Sequence, residues 1–103
     1  MNLRLLSATW DELSAAATWF DQQREGLGSE FWRAADEALA QIQESPHRFV
    51  RSEYASEDFD ARYAVIARFH YVIHFVVEPD EVVIASIAHG ARRPGYWLRR
   101  VRK

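Results

Sequence analysis

Three consecutive segments rich in β-branched and aromatic residues constrain the fold more than any other feature of this chain. They run from Ala61 to Arg68, from Tyr71 to Val77 and from Val82 to Ala88. Such a composition is typical of strands. The connectors, at 68–70 and 78–81, are short enough for hairpins. The block therefore predicts three successive antiparallel strands.

Two helices are predicted before this block. Thr9 and Glu12 have the spacing of a capping box, in which each side chain bonds the other residue's backbone amide. Apolar residues at helical spacing then continue to about Arg24. A glycine pair at 26–28 breaks the pattern, and Ser29 is a favourable cap for a second helix that ends before Pro46. So short a connection predicts an antiparallel helical hairpin.

The remaining segments complete an α+β prediction for a single domain spanning 1–103. Leu3 to Leu6 is a short apolar run that suits a first strand, whereas 47–60 is mostly polar and irregular, with room for a strand between Phe49 and Tyr54. The order β-α-α-β-β-β predicts a helical hairpin packed on one face of a mainly antiparallel sheet, with the other face partly open. The tryptophans at 10, 19 and 32 are expected to pack in the core, and Trp97 to clamp the C-terminal segment to the sheet.

Charge is distributed unevenly along the chain. Residues 1–60 hold five arginines against twelve acidic residues, and the last twelve residues carry six positive charges and no acid. A basic segment of this kind attracts phosphates or an acidic partner, although it can also be a solvated tail. The absence of cysteine excludes disulfides and thiolate zinc sites. With no secretion signal and no apolar stretch of bilayer length, we expect a soluble, cytoplasmic protein without membrane contacts.

Two stretches resemble the RelE/ParE family of toxins from type II toxin–antitoxin systems, also called plasmid stabilisation proteins. Residues 62–75, Arg-Tyr-Ala-Val-Ile-Ala-Arg-Phe-His-Tyr-Val-Ile-His-Phe, resemble the family's hairpin R-x-A-x-x-x-R-F-P-Y-x-I-x-Y. Residues 82–97, ending in His-Gly-Ala-Arg-Arg-Pro-Gly-Tyr-Trp, resemble its closing V-x-I-x-x-x-x-H-x-x-R-x-P-x-x-W. The helical hairpin with a G-L-G-x-x-F corner is also similar. One departure is His70, where the family commonly has proline.

The resemblance implies a toxin that a cognate antitoxin neutralises, and it leaves three functions open. A ParE-like toxin binds DNA gyrase, which fits a chain with one lysine and a slightly acidic net charge. A RelE-like toxin enters the ribosome and cuts mRNA, making it an endoribonuclease. A third possibility is an inactive member that only binds its antitoxin. None of the three requires a metal or another cofactor.

Messenger cleavage would need an acid or base and phosphate-binding cations. His89 is a candidate because histidine is the side chain that most often acts as an acid or base. Arg62 and Arg68, which share a strand face, suit a phosphate because guanidinium bonds two oxygens at once. Glu53 or Glu57 could supply a carboxylate base. Each of these residues also has a structural alternative: the arginines can line an exposed sheet face, His89 can close a turn, and the acids can be solvated.

The C-terminal residues are the predicted partner or phosphate contacts. Arg92 and Arg93 carry the charge, and Tyr96 and Trp97 supply aromatic surface. Together with Arg62 and Arg68, these arginines are expected to gather on the open face of the sheet, where an anionic ligand or an acidic partner would bind. An antitoxin is expected to lay an apolar, acid-bearing segment on the helical hairpin or across this open face.

Overall fold

The computed structural model describes residues 1–101, which form three α-helices and five strands. The helices are α1 (Ser7–Gln23), α2 (Leu27–Glu44) and α3 (Leu98–Val101), and a 3-10 helix (Pro46–Arg48) follows α2. The strands are β1 (Asn2–Leu5), β2 (Val50–Arg51), β3 (Ala61–Ile66), β4 (Tyr71–Val77) and β5 (Glu81–His89). In residues 1–101, no helix combines the length and apolar character needed to cross a membrane.

The five strands form one mixed sheet in the order β1-β5-β4-β3-β2. β1 runs parallel to β5, whereas the other neighbouring pairs are antiparallel. The α+β class and the three successive antiparallel strands are therefore confirmed. The β3–β4 turn contains Arg68 and His70, whose φ angles are 80° and 59°. A proline ring fixes φ near −65°, so proline cannot occupy position 70 in this turn.

The helical hairpin covers one face of the sheet, as predicted. Phe31 and Ile42 of α2 are fully buried against Ile73 and Ile87 of the sheet. Aromatic rings pack edge-on within this core, and Phe31 meets Phe69 with centroids 5.3 Å apart. Burial of these side chains stabilises the fold by about 25 cal/mol for each Å² of apolar surface removed from water.

The corner between the helices is tighter than the sequence predicts. α2 begins at Leu27, after Gly26 with φ 87°. A Cβ atom on Gly28 would lie 2.5 Å from the Ala17 carbonyl oxygen, and the Gly28 amide donates to Asp21 at 2.8 Å. The predicted cap at Ser29 is therefore wrong, because the helix has already begun where the two backbones approach most closely.

The predicted capping box at the start of α1 is also wrong. α1 begins at Ser7, and the buried Thr9 hydroxyl donates to the Leu6 carbonyl at 2.6 Å. Glu12 consequently lies in the second turn of the helix, where its carboxylate reaches β5 and the C-terminal segment.

A second, smaller core lies on the sheet face opposite the helices. Trp97, with no exposed surface, packs there with Ala61, Val76 and Ala85. The prediction that Trp97 clamps the C-terminal segment to the sheet is confirmed. The predicted packing of the other tryptophans is only partly right. Trp10 and Trp19 are each 53% exposed, whereas Trp32 is half-buried against the larger core.

Candidate functional site

A cleft of about 390 Å³ opens on the sheet face opposite the helices. Strands β3, β4 and β5 form its floor, which includes Tyr63, His74 and Ala88. The segments at 51–54 and 89–97 form its walls. We call this space the cleft. It occupies the part of the open sheet face that the smaller core leaves uncovered.

The cleft is rich in guanidinium groups. Arg51, Arg92 and Arg93 line it, together with Glu53. Arg51 is partly neutralised, because its Nε lies 3.5 Å from an Asp60 carboxylate oxygen. Arg92 and Arg93 are exposed, and neither forms an ion pair with any residue in 1–101. The cleft therefore presents net positive charge on a chain whose formal net charge is −2.

A polar network holds the wall of the cleft in place, and we call it the Glu12 network: Glu12, Ser86, Tyr96 and Arg100. The Tyr96 hydroxyl donates to Glu12 at 2.7 Å and is also hydrogen-bonded to the Ser86 hydroxyl. Arg100 donates to both Glu12 carboxylate oxygens, at 3.1 and 3.3 Å. The network thus joins α1, β5 and the C-terminal segment.

The Glu12 network also covers an unpaired edge of β5. β1 pairs only with residues 81–84, so among residues 1–101 the edge of β5 beyond Ile84 has no strand beside it. There the Ile87 amide donates to Glu12 at 3.0 Å, and the Ala85 carbonyl accepts from Arg100 at 3.0 Å. Buried backbone groups need such partners. These bonds also keep the edge from pairing with another chain.

A β-bulge lies at the same point of β5. His74 pairs with Ser86 and Phe75 with Ile84, so Ala85 is an extra residue. Bulges redirect side chains and recur next to functional sites. Here Ala85 packs in the smaller core and the neighbouring Ser86 hydroxyl meets Tyr96. The bulge therefore directs two successive residues of β5 toward the C-terminal segment.

Tyr96 lies in this wall and contacts both Glu12 and Arg92. Burial raises the pKa of its phenol, and the adjacent Glu12 carboxylate raises it further despite opposing effects of Ser86 and Arg100. The phenol therefore remains a protonated donor at neutral pH. The Arg92 guanidinium lies 4.0 Å from the centre of the Tyr96 ring, an arrangement stabilised by cation–π attraction. Through Tyr96, Glu12 on α1 positions an arginine at the mouth of the cleft.

His74 and Trp97 are neighbouring residues in the lining of the cleft. Their rings stack with centroids 5.0 Å apart and planes inclined by 23°. Burial lowers the pKa of His74, outweighing the Glu12 carboxylate, which raises it. His74 Nδ1 and Trp97 Nε1 are buried, and neither has a hydrogen-bond partner within residues 1–101. Buried polar atoms are seldom left unpaired in folded proteins.

Five of the predicted site residues line the cleft: His89, Arg92, Arg93, Tyr96 and Trp97. His89 also closes the turn after β5, since its Nδ1 accepts from the Ala91 amide at 3.1 Å. His89 therefore has the structural role, closing a turn, that was the alternative to a catalytic role.

Arg62 and Arg68 do not line the cleft. Arg62 is largely buried and donates to Asp60 at 2.9 Å and to the carbonyls of His47 and Phe49 at 2.8 Å. Arg68, in the β3–β4 turn, is ion-paired at 2.6 Å with Glu30 of α2. The expectation that these two arginines share an open surface with Arg92 is therefore wrong, because Arg62 and Arg68 instead fasten other parts of the fold.

The carboxylates proposed as bases are separated as well. Glu53 lines the cleft, whereas Glu57 is exposed and outside it. The site contains residues that sequence reasoning missed: Glu12, Ser86, Arg100, Tyr63 and His74. Glu12 and Tyr96 are 84 positions apart, and Glu12 and Arg100 are 88 apart. No local pattern signals such contacts.

A scan of protein-family models and a search of curated proteins found no match to this chain. Within residues 1–101, no three His, Asp or Glu side chains lie together in a way that could hold a metal ion. The function is therefore inferred from the fold, the residues of the cleft and the sequence resemblance.

Proposed function

We propose that this chain is the toxin component of a bacterial type II toxin–antitoxin system, of the ParE-like kind. In this proposal it acts in the cytoplasm, stops growth by binding DNA gyrase, and is neutralised by a cognate antitoxin. The two stretches that resemble the RelE/ParE family occupy β3, β4, β5 and the segment after β5. They are thus neighbours in the sheet, and their surfaces meet at the cleft.

The observation that carries the proposal is that the four arginines predicted to share one surface make different contacts. Arg62 and Arg68 are held in ion pairs outside the cleft, whereas Arg92 and Arg93 are exposed at it. The endonuclease predicted from the sequence needs Arg62 and Arg68 beside His89, to stabilise the charge that develops on the phosphate. A binding surface needs only exposed charge beside apolar and aromatic contacts. This arrangement favours a toxin that acts by binding rather than by cutting.

A RelE-like messenger endonuclease is the second candidate, because His89, Arg92 and Tyr96 line one cleft. In that mechanism His89 would move a proton and Arg92 would hold the scissile phosphate. Two of these groups are already engaged: Tyr96 donates to Glu12, and His89 Nδ1 accepts from Ala91. The second candidate would therefore depend on the remaining nitrogen of His89.

Two assays on the purified full chain separate these functions. In a gyrase supercoiling assay we expect loss of supercoiling, and in a translating extract we expect the messenger RNA to stay intact. Codon-positioned cuts that disappear in His89→Ala would contradict the proposal and support the endonuclease. No effect in either assay would also contradict the proposal and would favour a protein that only binds its antitoxin.

A further inference from the structure

The sheet carries a second cavity, of about 570 Å³, whose charge is opposite to that of the cleft. We call it the acidic pocket. Asp58, Asp60 and Glu78 line it, and among residues 1–101 its lining includes no basic side chain. Asp60 is ion-paired with Arg62 at 2.9 Å, whereas Asp58 and Glu78 form no ion pair within that range. The acidic pocket therefore presents two carboxylates to a partner.

The acidic pocket and the cleft lie on the same face of the sheet. Alternate residues of a strand point to the same side, and on β4 His74 lines the cleft whereas Val76 lines the acidic pocket. Two residues of a strand span about 7 Å. Tyr54 lines both cavities, so the two are adjacent. The face opposite the helices therefore has a basic end, with Arg92 and Arg93, and an acidic end.

The smaller core lies between these two ends, because Trp97 of that core lines the cleft and Val76 of the same core lines the acidic pocket. Phe59, Leu98 and Val101 pack against the smaller core and stay partly exposed. Protein interfaces combine an apolar centre with a polar rim. This face has the same pattern, with charges of opposite sign at its two ends.

Opposite charges at the two ends make the face complementary to itself. In a two-fold dimer each copy presents the same surface to the other, so the basic end of each copy can meet the acidic end of its partner. A partner with charges of one sign would match one end of the face and be repelled by the other. Whole copies repel each other only weakly, because the formal net charge of the chain is −2.

We infer that the chain forms a two-fold homodimer through this face. Arg92 and Arg93 of each copy contact Asp58 and Glu78 of the other, and the partly exposed apolar side chains of the two copies meet between these contacts. The second copy thereby supplies the carboxylates that the arginines of the cleft lack. This assembly goes beyond the proposed toxin function and does not depend on it.

Sedimentation of the full chain, with neither antitoxin nor gyrase present, tests the inference. The unaltered chain should be a dimer that dissociates on dilution, with a dissociation constant that rises with salt. Two charge-reversed variants should each be monomeric, one with Arg92→Glu and Arg93→Glu, the other with Asp58→Lys and Glu78→Lys. In each variant like charges meet at both contacts, so the dissociation constant should rise at least about a hundredfold. An equimolar mixture of the two variants should dimerise again, because each altered end then meets an end of opposite charge.

Asp36→Lys with Glu37→Lys is the control variant. Both acids are exposed on α2, outside the cleft and the acidic pocket, and the change in charge equals that of Asp58→Lys with Glu78→Lys. The control should dimerise like the unaltered chain. The inference is overturned if the unaltered chain stays monomeric or grows beyond a dimer, if the mixture of reversed variants stays monomeric, or if the control loses the dimer. A dimeric chain that leaves gyrase active would count against the toxin function alone.

Discussion

The carboxylate of Glu12 in α1 accepts a hydrogen bond from the backbone amide of Ile87 in β5, across 75 positions of sequence. The same carboxylate accepts from Tyr96 and Arg100. The Glu12 side chain therefore supplies a hydrogen-bond partner to an otherwise unpaired part of the β5 edge. It also holds in place the C-terminal segment that forms one wall of the cleft. Because Arg92 rests on Tyr96, the position of a surface arginine depends on a helix on the other face of the sheet.

Replacement of Glu12 should measurably destabilise the fold. The Glu12 side chain is 14% exposed and that of Arg100 is 23% exposed, so Glu12→Ala leaves a largely buried guanidinium without its carboxylate and the Ile87 amide without its hydrogen-bond partner. We expect a loss of about 2–4 kcal/mol in the free energy of unfolding, measured in urea. Glu37→Ala, at an exposed position of α2, should change it by less than about 0.5 kcal/mol. Equal effects of the two substitutions would show that the network contributes nothing.

The close approach of the helices at Gly28 gives a second prediction. Gly28→Ala places a methyl group 2.5 Å from the Ala17 carbonyl oxygen, so the helices must separate. We expect a loss of about 1–3 kcal/mol, measured by urea unfolding. Ser29→Ala should change the stability by less than about 0.5 kcal/mol. A loss of about 1 kcal/mol in Ser29→Ala would instead indicate that Ser29 caps α2.

Stability should depend on pH through His74. Burial lowers the pKa of His74 in the folded state below its value in the unfolded chain, which is about 6.5. Between these two values the unfolded chain binds more protons, so stability falls as the pH falls through that window. The contribution of His74 to the free energy of unfolding is fully present above about pH 6.5. As the pH falls below this value, the free energy of unfolding cannot decrease by more than about 1.4 kcal/mol per pH unit for one proton.

The pH prediction is checked by urea unfolding at pH 7.5 and pH 5.5. The unaltered chain should lose more stability on acidification than His74→Phe, whose ring can still stack on Trp97 but cannot titrate. His47→Phe is a matched control at an exposed position and should follow the unaltered chain. Identical pH dependence in the unaltered chain and His74→Phe would remove His74 as the cause.

Antitoxin binding should depend on the free arginines of the cleft. We predict that the antitoxin lays an apolar, acid-bearing segment across this face, so Arg92→Glu with Arg93→Glu should weaken the complex. The loss should be larger at low salt, because ions screen exposed charges. Affinity can be measured at two salt concentrations, with Arg33→Glu and Arg48→Glu as the matched pair, because both arginines are exposed outside the cleft and form no ion pair in residues 1–101. Unchanged binding by the cleft variant would place the antitoxin elsewhere.

The parts of the fold that could be predicted are those set by local patterns. The bounds of β4 follow directly from the composition of 71–77, and the end of α2 follows from Pro46. The two cap predictions failed because a local motif does not reveal tertiary partners. Glu12 has the spacing of a capping residue, but a strand edge and a tyrosine distant in sequence compete for its carboxylate.

The candidate site was predictable only in part, for a related reason. Arg92, Arg93, Tyr96 and Trp97 follow one another along the chain, so the sequence itself places them together. The hydrogen bonds of Arg62 depend on the course of the backbone through residues 47–60, because the Arg62 guanidinium donates to the carbonyls of His47 and Phe49. That irregular path has no periodic signal, and the sequence left the order of the strands open. The separation of the arginines could therefore be found only in three dimensions.

Growth of a bacterial host on induction of this chain tests the central claim most directly. The toxin proposal predicts that colony counts fall after induction and that supercoiling of a resident plasmid falls with them. The variant with Arg92→Glu and Arg93→Glu should lose the effect, whereas Arg33→Glu with Arg48→Glu should retain it. Unimpaired growth of cells that contain the folded, unaltered chain would contradict the account.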